Sequence, residues 1–305
     1  MPPAGVPSRC RPATDAVMNY RHAFHAGNFA DVFKHLLLSR ILVYLIRKPA
    51  PLRFIDTHAG IGFYDLAGTE AAKTGEWRTG IGRLDATKAT PAVAALLDPY
   101  LAAVGARTTD GRPLFYPGSP GIAQHLLRPG DRLLLCERHP EDAIALKSVM
   151  GRDKRVKVLA SDGYATLKAS VPPPERRGLV LMDPPFEERD EFDTLAMSLA
   201  SATRKWATGT YAIWYPIKEA AQVAAFQAQM ATLGLARHCT IEILRDAAAG
   251  APALRGCGLF VVNPPYLLAE EAALLLPFIC GIFDDAALPP FNGAIRTEAG
   301  QLTRF

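Results

Sequence analysis

Gly178-Leu179-Val180-Leu181-Met182-Asp183-Pro184-Pro185-Phe186 joins an apolar run to a carboxylate, two prolines and an aromatic ring. The run reads as a buried strand. The loop after it is chemically unusual. Asp183 can accept a hydrogen bond from an exocyclic amine. The prolines fix φ and push each preceding residue toward an extended shape, so their carbonyls point in preset directions. Phe186 offers a flat face on which a base can stack. The set suits an NH₂ group on a planar heterocycle. A second loop of like design, Asn263-Pro264-Pro265-Tyr266, follows the run Gly258-Leu259-Phe260-Val261-Val262. Either could be an ordinary turn after a strand. Strand order separates them.

Working outward, apolar runs alternate with helical patterns. Asn28 is a suitable N-cap for a helix over 29–47, which Lys48-Pro49 stops. Strands follow at 52–56, 132–136, 156–159, 178–182 and 210–215, with helices near 121–127, 141–150, 192–205 and 220–233. Strands 239–244 and 258–262 are separated only by a loop and so pair as an antiparallel hairpin; a last helix runs near 270–283. This alternation predicts an α/β, Rossmann-like, doubly wound sheet of seven strands, mostly parallel, with the hairpin at one edge. The topology resembles class I S-adenosylmethionine-dependent methyltransferases.

The first two strands are too far apart for a simple crossover helix. Residues 63–112 therefore read as a small inserted helical subdomain. The predicted division is a flexible leader at 1–17, a methyltransferase domain at 18–62 and 113–283, the insertion at 63–112 and a C-terminal tail at 284–305.

Hydrophobic residues make up 49% and charged residues 21% of the 305, which excludes global disorder. A net charge of +4 is compatible with a nucleic-acid partner but does not argue for one. The five cysteines, Cys10, Cys136, Cys239, Cys257 and Cys280, show no C-x-x-C spacing, so neither a zinc site nor a disulfide framework is indicated. A reduced, cytoplasmic setting is expected. No apolar run has membrane length, and no signal peptide is evident. The pair His22-x-x-His25 lacks a matching cysteine or acid, so no metal is expected.

In doubly wound sheets ligands sit beyond the C-terminal ends of the parallel strands. Asp183 ends the fourth of these, predicted next to the first. Asn263 ends an antiparallel strand and is predicted at the opposite edge, as a structural turn. The first strand's turn, Asp56-Thr57-His58-Ala59-Gly60-Ile61-Gly62, departs from the dinucleotide glycine pattern, which argues against NAD. Glu137, at the second strand's end, is placed to accept from ribose hydroxyls. Asp162, at the third, is placed to accept from an adenine amine, with the Gly163 N–H accessible beside it.

Several blocks resemble the bacterial 23S ribosomal RNA adenine-N6 methyltransferase J family. They are Met18-Asn19-Tyr20-Arg21-His22-Ala23-Phe24-His25-Ala26-Gly27-Asn28, Asp56-Thr57-His58-Ala59-Gly60, Tyr116-Pro117-Gly118-Ser119-Pro120, Glu137-Arg138-His139-Pro140, Ala160-Ser161-Asp162-Gly163 and Asp183-Pro184-Pro185-Phe186. The resemblance runs from Met18 to about Phe283, which favours Met18 as a natural start. It implies S-adenosylmethionine-dependent methylation of N6 of one adenine in 23S rRNA, on naked or early-assembly RNA. It implies cofactor contacts at His35, His58, Ser119, Glu137, Asp162, Gly163 and Asp183, and substrate-side roles for Tyr20, His22 and Lys34. Phe186 stands where the family commonly has tyrosine; a ring that only stacks tolerates losing the hydroxyl.

The chemistry expected follows. Adenine N6 is a weak nucleophile because its lone pair delocalises into the ring. Asp183 accepting one N–H and the Pro184 carbonyl the other would draw the amine toward tetrahedral geometry, most of the gain being positional and electrostatic. The nearest alternative is an adenine-N6 DNA methyltransferase with the same pocket. A binding protein without catalysis and an NAD-dependent oxidoreductase are disfavoured by Asp183 and by the glycine turn.

Overall fold

The computed structural model describes residues 21–109, 111–246, 254–286, 288–298 and 300–305. Tyr20, Cys10 and the expected leader lie outside the described residues. In chain order the elements are α1 (Phe29–Leu45), β1 (Arg53–Asp56), β2 (Phe63–Tyr64), α2 (Thr69–Thr74), α3 (Pro91–Val104), β3 (Tyr116–Pro117), α4 (Ser119–Leu126), β4 (Arg132–Glu137) and α5 (Pro140–Met150). Then come β5 (Val156–Ala160), α6 (Gly163–Ser170), β6 (Gly178–Met182), α7 (Glu191–Lys205), β7 (Thr210–Ile217), α8 (Ala220–Ala231), β8 (His238–Arg245), β9 (Gly256–Val262), α9 (Leu268–Phe283), β10 (Phe291–Thr297) and β11 (Leu302–Arg304).

The main sheet runs β11-β10-β8-β9-β7-β6-β1-β4-β5. The five strands β7, β6, β1, β4 and β5 are mutually parallel, with β1 between β4 and β6. β9 enters antiparallel to β7 and pairs with β8. This is the Rossmann-like methyltransferase order expected.

Strand alternation shows why the central runs are apolar throughout. Leu179 and Leu181 of β6 enter one core layer, and Val180 and Met182 enter the other. A strand covered by helices on both faces has no polar side. The first layer holds α1, α3, α4 and α9, and the second holds α7 and α8. α1 lies inside the first layer, with Ala30 through Leu42 all buried. Its N-cap is Asn28, whose side chain accepts from Asp31 N at 3.0 Å.

The sheet has nine strands among the described residues, two more than the seven predicted. The extra pair, β10 and β11, comes from the stretch read as a tail, so the β8–β9 hairpin is interior. β10 owes its strand character to pairing with the distant β8 and to packing on α9, a long-range cause that local propensity does not carry. Among the described residues, 63–112 contribute the two-residue β2, α2, three 3₁₀ turns and α3. Their buried Trp77, Ile81, Leu97 and Tyr100 join the same apolar core as α1, α4 and α9.

Asn263 lies at the edge of the sheet opposite the C-terminal ends of the parallel strands. Val262 pairs with Tyr211 at the start of β7, and Asn263 Nδ2 donates to the carbonyls of Ala207 and Gly209. It is a turn residue, as strand order predicts.

Candidate active site

A cavity of about 1130 Å³ opens at the C-terminal ends of the parallel strands. It is lined by His22, Lys34, His35, His58, Ser119, Glu137, Asp162, Gly163, Asp183, Pro184 and Phe186. Every residue expected at the cofactor or substrate site lies on this one void, apart from Tyr20, which is outside the described residues.

At the end of β1 the chain turns through Gly60, whose φ is +60°. A Cβ there would meet the Tyr64 hydroxyl at 2.3 Å. Glu137 reaches across from the end of β4 and accepts from Gly60 N and His139 N, both at 2.8 Å. Burial raises its carboxyl above the ordinary range, and these two N–H donors oppose the rise. Asp162 caps α6, accepting from Ala165 N at 2.8 Å. A Cβ on Gly163 would fall 2.0 Å from the Thr57 carbonyl, so glycine lets α6 start against the end of β1. The sequence reading of Gly163 rested on its N–H; the closer constraint is this backbone approach.

His35 is buried and shares a hydrogen bond with the Tyr116 hydroxyl at 2.8 Å; Tyr116 in turn meets Tyr100 at 3.1 Å. Burial holds His35 well below its ordinary value. His58 packs edge-on to Tyr164, its ring paired with Thr57 Oγ1 at 2.8 Å. Burial pushes it down to about 4, so it is neutral at pH 7. Ser119 Oγ donates to Asp56 Oδ2 at 2.6 Å. Asp56 is fully buried beneath the β1 turn, and burial raises it to about 7 despite the bonds from Ser119 and His58 N.

On the other side of the void, Lys34 Nζ stands 2.5 Å from Asp183 Oδ2 and 3.0 Å from Asp31 Oδ1. Asp31 Oδ2 also meets His22 Nε2 and Gly27 N, each at 2.9 Å. Burial alone would lower Lys34, but Asp183 and Asp31 outweigh it and hold the ammonium well above the ordinary lysine range. Burial alone would raise Asp31; His22 and Lys34 outweigh it and keep the carboxyl well below its ordinary value. The result is a chain His22–Asp31–Lys34–Asp183. The resemblance put Lys34 on the substrate side, yet its ammonium is engaged by Asp183. α1 delivers Asp31, Lys34 and His35 to the void from successive turns.

Phe186 has φ +53° and packs against Phe192 and Trp214, ring centroids 4.9 and 5.9 Å away. Trp214, on β7, also lines the void, with Lys34 Nζ 5.7 Å from its ring centroid. Sequence reasoning missed Asp31, Asp56 and Trp214 as site residues. Asp56 stood in the quoted turn; Asp31 reads as an ordinary first-turn acid, favourable to any helix. His25 pairs with Glu76 Oε1 at 3.0 Å, bracing the segment before α1, and Trp77 is a core residue. Among the described residues no group of three or more His, Cys, Asp or Glu could hold a metal ion. Nor is any helix among them long and apolar enough to cross a membrane.

Comparison with known proteins places the chain in a family. Residues 49–288 match the family model described as RsmJ, Ribosomal RNA large subunit methyltransferase D, RlmJ. The chain is 38% identical over 265 residues to Ribosomal RNA large subunit methyltransferase J of Haemophilus influenzae, covering 86% of this chain and 93% of that one. It is 37% identical over 263 residues to the protein of the same name from Escherichia coli K12, again covering 86% and 93%. The crystal structure of protein LPL1258 from Legionella pneumophila superposes with a TM-score of 0.79 at 34% identity, over 91% of this chain and 99% of that one. With the family model spanning most of the chain and two relatives above one-third identity, the chain belongs to the ribosomal RNA large subunit methyltransferase J family.

Proposed function

We propose that the protein methylates N6 of a specific adenine in 23S rRNA with S-adenosylmethionine, on protein-free or early-assembly RNA in the cytoplasm. The observation that carries this reading is the Asp183 carboxylate at the end of β6, gripped on one oxygen by Lys34 and facing the void shared with Glu137 and Asp162.

The donor set fits the cofactor. Glu137 offers a buried carboxylate for a ribose diol, Asp162 an acceptor for an adenine amine, and Gly60 and Gly163 leave backbone close to the ligand. The cofactor, when bound, supplies an electrophilic methyl group. His35 and His58, both neutral, add no charge to repel a sulfonium.

The chain's own groups handle the target base. Asp183 Oδ1 accepts one N6 hydrogen and the Pro184 carbonyl the other. Lys34 Nζ, 2.5 Å from Oδ2, fixes the orientation of the carboxylate. Asp183 then holds the N6 proton as the nitrogen's lone pair is used. Phe186 replaces stacking lost when the base leaves its helix, worth about 1–3 kcal/mol. His22 lines the substrate side, and the resemblance assigns Tyr20 a role there too.

The test uses labelled S-adenosylmethionine with protein-free 23S rRNA, assembled large subunits and DNA. Label should enter protein-free rRNA, at adenine N6. Asp183→Ala should remove transfer by at least about 10²-fold in a protein that still folds but melts lower, because Lys34 keeps only Asp31; Asn263→Ala should keep transfer. Label in DNA alone, or full activity in Asp183→Ala, would refute the reading.

A further inference from the structure

The void continues along the sheet edge beyond the target-base loop. It passes Trp214 and Lys218, at and just beyond the end of β7, and reaches Arg245, the last residue of β8. β8 runs parallel to β7, so Arg245 sits at the same edge as Asp183, three strands away. At ordinary strand spacing that is about 14 Å.

Arg245 is 6% exposed, and its guanidinium lies 3.8 Å from the ring centroid of Phe291, its cross-strand partner on β10. Phe29 and Phe283 pack around that ring. Arg245 Nε is buried with no hydrogen-bond partner, and among the described residues no carboxylate pairs with this guanidinium. The acids whose charge reaches it are engaged elsewhere. Asp284 Oδ1 accepts from Phe291 N at 2.8 Å, and Asp285 faces Arg83 at 3.9 Å. Arg83 is itself turned to the Asp284 carbonyl, at 2.7 Å.

A buried cation without an acceptor is costly unless a ligand supplies one. A planar guanidinium held against an aromatic ring is preorganised for bidentate contact with phosphate. Resting on the rRNA reading above, we propose that Arg245 clamps a backbone phosphate of a nucleotide flanking the target adenine, with the exposed Lys218 steering the strand between the two sites. Arg245 thereby ties substrate binding to β8 and β10, away from the reacting atoms.

The test measures binding of protein-free 23S rRNA against salt, together with steady-state methyl transfer, for Arg245→Met, Arg245→Lys and Lys218→Gln. Arg245→Met should weaken RNA binding about tenfold and flatten the log–log salt slope by about 0.7, one phosphate contact on a single strand. Cofactor affinity and kcat at saturating RNA should stay within about twofold. Arg245→Lys should keep the slope and lose part of the affinity. Lys218→Gln, at an exposed position that threatens no packing, should also flatten the slope. Folded Arg245→Met with wild-type RNA affinity and slope would overturn the proposal and leave Arg245 as a brace for β10. Should Arg245→Met fail to fold, undiminished RNA affinity in Arg245→Lys with an unchanged slope in Lys218→Gln would overturn it equally. Failure of the rRNA reading shows separately, as absence of methyl transfer by the wild type, and does not alter the salt slope that decides Arg245.

Discussion

Buried Asp56, at the end of β1, and half-buried His58, just beyond it, pull the molecule's pH response in opposite directions. Asp56 is raised from 3.8 to about 7, so the folded chain keeps a proton that the unfolded chain releases. Its contribution makes stability fall as pH rises from about 4 to about 7. His58 is lowered from 6.5 to about 4, so the unfolded chain takes up a proton that the folded chain refuses. Its contribution makes stability rise with pH across about 4 to 6.5. The two offset each other through that window. Asp56→Asn should unmask the histidine, so urea unfolding between pH 4.5 and 6.5 should give a steeper rise of stability with pH than in the wild type. Equal slopes in the two proteins would show that Asp56 does not hold its proton. At this scale the sequence was informative about type and poor about partners. It marked Lys34 as a cation near the substrate, but nothing in Lys34's neighbours along the chain announces Asp183, 149 residues away.

Among the elements, α6 shows how closely the site is built. Asp162 caps it, and Gly163 lets it start against the Thr57 carbonyl at the end of β1. Gly163→Ala puts a methyl group 2.0 Å from that oxygen, so strand end and helix start must separate. The expected cost is about 1–3 kcal/mol of stability, with weakened cofactor binding, read by chemical denaturation and by calorimetric titration of S-adenosylmethionine. Unchanged values for both would mean that the gap closes without strain. Helix and strand positions in the β-α alternation were largely legible, since long apolar runs and caps such as Asn28 are local signals. The short β2 and β3 and the 3₁₀ turns of the inserted stretch were not, because they follow the core they pack on.

For the whole molecule, β10 and β11 extend the sheet past the β8–β9 hairpin. β10 buries Phe291 and Ile295, and Gly293 allows close approach to Leu276 of α9, where a Cβ would fall 2.9 Å from the leucine Cβ. Ending the chain after Asp284 would expose β8 as an edge and uncover Phe29 and Phe283. Each buried apolar side chain lost is worth about 1.5–3 kcal/mol. The truncated protein should melt well below the full chain and self-associate at its open edge, as scanning calorimetry and size-exclusion chromatography would detect. An unchanged melting temperature would make β10 an ornament of the sheet.

The parallel strand order, the placing of Asp183 and Asn263 at opposite ends of the sheet and the convergence of Glu137, Asp162 and Asp183 on one void could all be deduced from the order of elements along the chain. Each depends on a run of neighbours and on one topological rule, that ligands lie where parallel strands end. The Lys34–Asp183 grip, the raised Asp56 carboxyl, the nine-stranded sheet and the orphaned Arg245 Nε came into view only when distant segments were brought together. They are products of burial and of contacts across many tens of residues, and burial is a property of the packed chain that no local window of sequence contains.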